Sequence, residues 1–376
     1  MTEISPQKES PKLNYEKPLL KELESSIIGN YLFPLNSKET EGLKEIIKEF
    51  PETIIDFHSH AGPRKAVKGK EFPETYGMTF LYREIEDVLI HRAILSGAIT
   101  KQEPHRVYQV VMAFPFYGVD LKGTNRWLLE ETGKGAGFLP FLIPLPREKG
   151  LEETKKNLAA GSFFGIAEIH PRLLSSYPEG LRGEKGYLSE KFLELVEKQE
   201  LPMVIHLPKH LLNHVEELKE LSRDYPKLKI VLAHMGLVQI LTERSKSALG
   251  EILTLPNVYF DTSTVTDEKV FAHVLRESGV GKILFASDAP YDALRLEVKF
   301  IEGKMEVLSS QDLIGTKKVK EEINRMLISS PKALLEAVKE VYPNEEQAKL
   351  AKEKIFYQNA LEILPRELPP YEVKKI

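Results

Sequence analysis

The chain has 376 residues, with 52 Lys plus Arg against 56 Asp plus Glu, for a net charge of −4. That near-balance argues against an obligate nucleic-acid binder, which shows a basic excess, and a content of 42% hydrophobic and 29% charged residues describes a folded chain. There is no cysteine, which excludes disulfides, thiolate metal sites, Fe–S clusters and cysteine nucleophiles, so any metal must be held by His, Asp, Glu or a modified Lys.

The first residues, MTEISPQKESPKLNYEKP, are polar and lack the apolar stretch of a secretory signal. No apolar run approaches the ~18 residues needed to span a bilayer, so the cytoplasm is the expected location. Residues 1–50 read as an N-terminal extension, with the first 18 or so dispensable for any site further on, and residues 51–376 as one large domain. Within the extension a helix is expected over Glu39–Phe50, where Leu43, Ile46 and Ile47 recur at helical spacing.

From Thr53 short β-rich runs set up a rhythm. Strands are expected at Ile54–His58, Val107–Ala113, Phe138–Ile143, Phe163–Ile169, Met203–His206, Ile230–His234, Val258–Asp261 and Ile283–Ser287. Their apolar runs are nearly continuous, as in a parallel sheet covered on both faces. Helical patterns intervene at Glu190–Gln199, His214–Leu221 and Lys269–Ser278. Eight strands separated by helices or loops predict an α/β fold, a (β/α)8 TIM barrel. The segment Gly62–Thr100 reads as an elaborated first loop over the barrel mouth, with a helical pattern through Leu95. The tail after the eighth strand reads as mostly helical, with Ser330 as a cap, Pro331 in the first turn, and Asn344 capping the next stretch.

The chemistry begins at IIDFHSHAG. His58 and His60 stand two apart at a strand end, and residues two apart on a strand share a face, so two imidazoles there can chelate one divalent ion. Taken alone, His-x-His is a weak motif. PMVIHLPKH then ends the fifth strand in His206, KIVLAHMG ends the sixth in His234, and ILFASDAPYD puts Asp288 just past the eighth. GIAEIHPR ends the fourth in Glu168 and His170. In a barrel, C-terminal strand ends converge on one mouth. So many His and Asp residues there are hard to explain by packing.

DFHSH, VIH, LAHMG, NVYFDTS and FASDAP, in this order from Ile54 to Pro290, resemble the amidohydrolase superfamily, in particular its amidohydrolase-2 branch. The 50-residue extension and the long first loop fall outside the resemblance. The resemblance implies a divalent metal, usually zinc, bound by His58, His60, His206 and Asp288. His234 would be a second-metal ligand or a metal-free catalytic histidine that polarises substrate. Asp288 would bind metal and also accept a proton from water, whose pKa a zinc ion lowers to about 7.

Binuclear members of the superfamily often bridge two metals with a carboxylated Lys on the fourth strand. This chain carries Glu168 there, in the order Glu, His, His, Asp shared by TatD-type nucleases, so one ion and two both stay open. Glu168 reads equally as a ligand or as an ion-pair partner of Arg172. His170 reads as a substrate contact or a support for a ligand. Arg64, Arg172 and Lys209 follow strand-end motifs, where a cation could anchor a substrate carboxylate or phosphate; solvated loop charge is the plainer reading of each. His91, His105 and His273 read as structural.

The leading expectation is a metal-dependent hydrolase acting on a C–N or C–O bond of a small carbonyl compound. The alternatives are a non-oxidative decarboxylase of an aromatic or unsaturated acid, known in the same branch, and a TatD-like phosphoesterase or DNase, against which the acidic balance stands. A non-catalytic metal-binding barrel is a further class, because a fold alone does not establish activity. The expected partners are a small-molecule substrate and, on base rates, a second copy as a homodimer, with neither membrane nor nucleic acid.

Overall fold

The computed structural model describes residues 35–63, 91–97, 105–115, 118–133, 137–146, 150–174, 177–183, 186–301, 304–311 and 316–371. All eight expected strands are present: β1 (Thr53–His60), β2 (Arg106–Met112), β3 (Phe138–Leu142), β4 (Gly165–Ile169), β5 (Pro202–Ile205), β6 (Lys229–Leu232), β7 (Val258–Asp261) and β8 (Ile283–Leu284). They pair in parallel in chain order. The circle closes by single bonds from β1 to the β8 segment: the Phe57 N–H donates to the Phe285 carbonyl at 2.9 Å, the Asp288 N–H to the His58 carbonyl at 2.8 Å, and the His60 N–H to the Ala289 carbonyl at 2.7 Å. The result is a (β/α)8 barrel.

Two apolar clusters follow from strand alternation. Ile54, Val107, Met203, Ile205, Ile230 and Leu232 share one cluster with helical Phe192, Leu193, Leu218, Ile252 and Phe271, which marks the outer face. Ile55, Phe57, Val110, Phe141, Val204 and Val231 form the other, which is the barrel interior. Phe57 and Phe141 meet edge to face there, with centroids 5.5 Å apart. Each fully buried side chain of this kind contributes about 1.5–3 kcal/mol. The C-terminal residues Ala360, Ile363 and Leu364 join the interior cluster.

The helices Glu190–Lys198, Val215–Asp224 and Glu268–Ser278 lie within a few residues of the expected spans, and Leu121–Thr132, Leu151–Ala159 and Glu243–Leu253 complete the set around the sheet. The N-terminal helix spans Ser37–Ile47, two residues earlier than its apolar periodicity suggests, because Asn36 and Glu39 form a capping box. Its Leu43, Ile46 and Ile47 enter the outer core. Of the first loop, residues 91–95 are helical, while residues 64–90 and 98–104 lie outside the described residues, as do residues 1–34.

The tail departs from expectation in two places. A three-stranded sheet of β9 (Leu296–Ile301), β10 (Lys304–Ser309) and β11 (Lys317–Lys318) precedes the helices. Alternation in LEVKFI and KMEVLS gave a period of two that a mostly helical reading overlooked. The next helix is Met326–Val341, with Arg325 at its cap and Pro331 inside it rather than in the first turn. Ser330 does not cap: its hydroxyl donates to the Thr262 carbonyl at 3.0 Å. Asn344 does cap, accepting from the Glu346 and Gln347 N–H groups.

Candidate metal centre

Strand irregularity builds the mouth. Between Asp56 and Ser59, β1 advances three residues while β2 advances two, from Gln109 to Val111. Between Ile166 and Ile169, β4 likewise gains one residue on β5. Each extra residue is a bulge that re-aims a side chain. Strict alternation from interior Phe57 would send His58 outward with Asp56. The bulge turns it inward beside His60, and the second bulge does the same for Glu168 next to interior Ala167.

His58, His60 and Asp288 converge. The Nε2 atoms of the two histidines are 2.9 Å apart, and Asp288 Oδ1 lies 3.6 Å from His58 Nε2 and 3.4 Å from His60 Nε2. Donors ~2.1 Å from one ion stand roughly 3.0 Å apart at right angles and roughly 3.4 Å apart at the tetrahedral angle, so the spacing fits a cation. Glu168, His170 and His206 form a neighbouring group of donor atoms within 4.8 Å of one another. The expected tetrad is therefore distributed: three members meet, and His206 joins the adjacent group. Glu168 joins the two, with Oε2 3.7 Å from His60 Nε2 and Oε1 3.7 Å from His234 Nε2. Among the described residues its ion pairs are these, not Arg172.

Ring hydrogen bonds decide which histidines can ligate. The Nδ1 of His58 donates to Asp261 Oδ2 at 2.8 Å, that of His206 to the Leu207 carbonyl at 2.8 Å, and that of His60 to the Ala113 carbonyl at 3.4 Å. A carbonyl or carboxylate only accepts, so in each neutral ring the Nε2 lone pair is left for a metal. His170 is the reverse: its Nδ1 accepts the Arg172 N–H at 2.9 Å. A neutral His170 thus carries its proton on Nε2 and offers a donor, not a ligand atom.

Electrostatics follow burial and charge. Burial opposes charge on His58, but Asp261, Asp288 and Glu168 outweigh it and raise its pKa to about 10. That is the response of a carboxylate-rich site that calls for a cation, whether a proton or a metal. Burial, with His234 nearby, lowers His206 to about 4 and keeps it neutral. Burial and His206 push His170 well below its ordinary value. Glu168 resists burial through His234, His170 and His206 and is held well below the carboxylate range. Asp261 is likewise lowered, burial being outweighed by His58.

His60, Glu168, His170, Arg172, His206, His234, Asp288 and Tyr291 all border one cavity of about 210 Å³. Both His234 and Asp288 hold left-handed backbone, φ 56° and 61°, a conformation that costs energy and clusters at functional sites. Lys209 is exposed and is not among the residues lining this cavity. Arg64 lies outside the described residues. His91, read as structural, bonds Asp292 at 2.6 Å and Gln109 at 3.1 Å beneath the mouth. The sequence reading assigned no role to Asp261, Ser263 or Tyr291. The NVYFDTS run, with two polar side chains right after a strand-end Asp, was the available signal.

A closed parallel barrel with convergent histidines and carboxylates at its C-terminal mouth defines an enzyme of the metal-binding TIM-barrel class. Residues 105–366 match the family model described as Amidohydrolase, and the chain belongs to the amidohydrolase-2 family. The matched span omits β1, whose His58 and His60 the fold supplies. A search of curated proteins found no match.

Among solved structures, the chain is similar to 5-carboxyvanillate decarboxylase from Sphingomonas paucimobilis, at 12% identity and TM-score 0.53, covering 84% of this chain and 100% of that one. It is similar to a zinc-bound amidohydrolase from Burkholderia multivorans, at 14% and 0.51, with coverage of 84% and 100%. A dihydroxybenzoic acid decarboxylase from Polaromonas with bound manganese gives 15% and 0.50, with coverage of 83% and 96%. These likenesses show the fold. Among the described residues no helix is long and apolar enough to cross a membrane.

Proposed function

We propose that the protein is a metal-dependent hydrolase cleaving a C–N or C–O bond next to the carbonyl of a small molecule. The carrying observation is the pair of Nε2 atoms on His58 and His60, 2.9 Å apart, facing Asp288 Oδ1. The donor set fits zinc, and such an ion, when bound, polarises a carbonyl and activates water. His58, His60 and Asp288 would hold it. Glu168, with one oxygen toward His60 and the other toward His234, supports a second position shared with His206.

Asp288 borders the cavity and is the proton acceptor in this reading. His234 has its Nδ1–H tied to Ser263 Oγ at 2.8 Å, so Nε2 faces the cavity and can carry a proton to a leaving group. His170 presents Nε2–H, and Tyr291, whose pKa is raised by burial and by Asp288, keeps its hydroxyl proton; with Arg172 these are donors for substrate oxygens. The cavity size favours a small molecule over a polymer such as nucleic acid, and we propose a cytoplasmic location and a homodimer.

A second reading, non-oxidative decarboxylation, draws support from that same donor side, which suits a carboxylate. The test is zinc and manganese content per chain, with assays on lactones, amides, phosphodiesters and aromatic acids. Metal-dependent hydrolysis of a lactone or amide is expected. CO₂ release from an aromatic acid would select the second reading, and a protein that binds no divalent metal would overturn both.

A further inference from the structure

We propose that Asp261 is a positioning residue that fixes the ring tautomers of two histidines with separate tasks, His58 and His234. The proposal rests on the metal-site reading above. Asp261 ends β7, is fully buried, and touches neither the cavity nor the converging donor atoms.

Its two oxygens divide the work. Oδ2 accepts the His58 Nδ1–H at 2.8 Å. Oδ1 accepts three donors: the His234 backbone N–H at 2.9 Å, the Ser263 N–H at 3.1 Å and the Ser263 hydroxyl at 2.5 Å. A carboxylate oxygen has about two lone-pair positions, so Oδ1 is fully committed to its three donors. Ser263 has one hydroxyl proton, and the acceptor-only carboxylate claims it. The Ser263 oxygen must then accept from its other neighbour, His234 Nδ1, at 2.8 Å. Both imidazoles are thereby left with a proton on Nδ1 and a lone pair on Nε2. One carboxylate sets a metal ligand directly and sets the histidine on the far side of Glu168 through a hydroxyl.

The chain of bonds makes an asymmetric prediction for Asp261→Asn. Three donors converge on the Oδ1 position, so the amide must keep its oxygen there and turn its NH₂ toward His58. His58 Nδ1 would then have to accept, which moves the ring proton to Nε2 and removes the lone pair a metal needs. Ser263→Ala cuts only the branch to His234.

The experiment is zinc affinity of the full chain by competition with a chromophoric chelator, together with ¹⁵N chemical shifts of the histidine rings in zinc-loaded protein. Asp261→Asn should weaken zinc roughly ten- to hundredfold. Ser263→Ala should keep wild-type affinity while the His234 ring loses its Nδ1–H form. Wild-type affinity in Asp261→Asn overturns the proposal and leaves the metal site standing. A wild-type chain that binds no zinc overturns the metal-site reading itself. If Asp261→Asn does not fold, Ser263→Ala still decides: zinc lost with Ser263, or a His234 ring unchanged without it, overturns the proposal.

Discussion

Two buried clusters of charge sit in this protein, and they are finished differently. At the N-terminal helix, Glu39 is buried against Arg325 and Arg295. Arg295 donates to both carboxylate oxygens, at 2.8 and 3.0 Å, Arg325 Nε adds a bond at 3.2 Å, and the Asn36 N–H caps the second oxygen at 3.0 Å. Arg325 Nη1 goes on to donate to the Ala293 carbonyl at 3.0 Å. The carboxylate is saturated by protein donors. At the barrel mouth the outer atoms are saturated in the same way, every Nδ1 and every Asp261 oxygen being used, yet the inner ring nitrogens and carboxylate oxygens converge around a place for a cation. His58 Nε2, His60 Nε2 and Asp288 Oδ1 stand within 3.6 Å of one another, and Glu168 Oε2 lies 3.7 Å from His60 Nε2. A cluster closed by its own partners holds the fold together, and one left open toward its centre is built for something that arrives from outside.

Breaking the open cluster should cost function before stability. Asp288→Asn keeps the size and one weak oxygen ligand but cannot accept a proton near pH 7. In metal-loaded enzyme kcat should fall on the order of 10²-fold or more, with the metal largely retained. Steady-state kinetics beside metal analysis checks this, and full activity would leave Asp288 as a ligand only.

Breaking the closed cluster should do the opposite. Arg325→Met strips one of two guanidiniums from Glu39 and should lower unfolding free energy by about 1.5–3 kcal/mol, read by urea titration, with metal content per folded chain unchanged. Loss of metal at full stability would reverse the assignment of the two clusters.

A gentler probe of the same clamp is acid. Burial raises the Glu39 pKa, but Arg295 and the Asn36 cap outweigh it and leave the folded value below the ordinary 4.5. The folded state therefore prefers the carboxylate. Its contribution is whole above pH 4.5 and is lost as pH falls through the folded value. The stability gap between wild type and Glu39→Gln should shrink on acidification below that pH, and a gap that widens would contradict the sign.

The smallest effect expected at the mouth is at His170. With Nδ1 committed to the Arg172 N–H, His170→Ala should leave zinc stoichiometry and affinity at the wild-type level, measured by the same chelator competition, while KM for substrate rises. A fall in affinity like that of His58→Ala would make His170 a ligand.

The sequence by itself determined the barrel. Nearly continuous apolar runs such as PMVI and KIVL must be buried on both faces, and helical stripes such as EKFLELVEK must cover the outside, so strand count and order follow from patterning. It also put His58, His60, His206, His234 and Asp288 at strand ends, because those residues interrupt apolar runs where packing offers them no partner. It could not show that β1 and β4 each carry an extra residue. A bulge is set by pairing with a neighbour far along the chain, and nothing local in IIDFHSH or GIAEIHP distinguishes an inward His58 or Glu168 from an outward one. The role of Asp261 was out of reach for the same reason. Its partner His58 lies 203 residues away, and which nitrogen of an imidazole keeps its proton depends on what sits across from the other. Tautomers, bulges and the saturation of a buried carboxylate are properties of contacts between distant segments, and only the closed barrel brings those segments together.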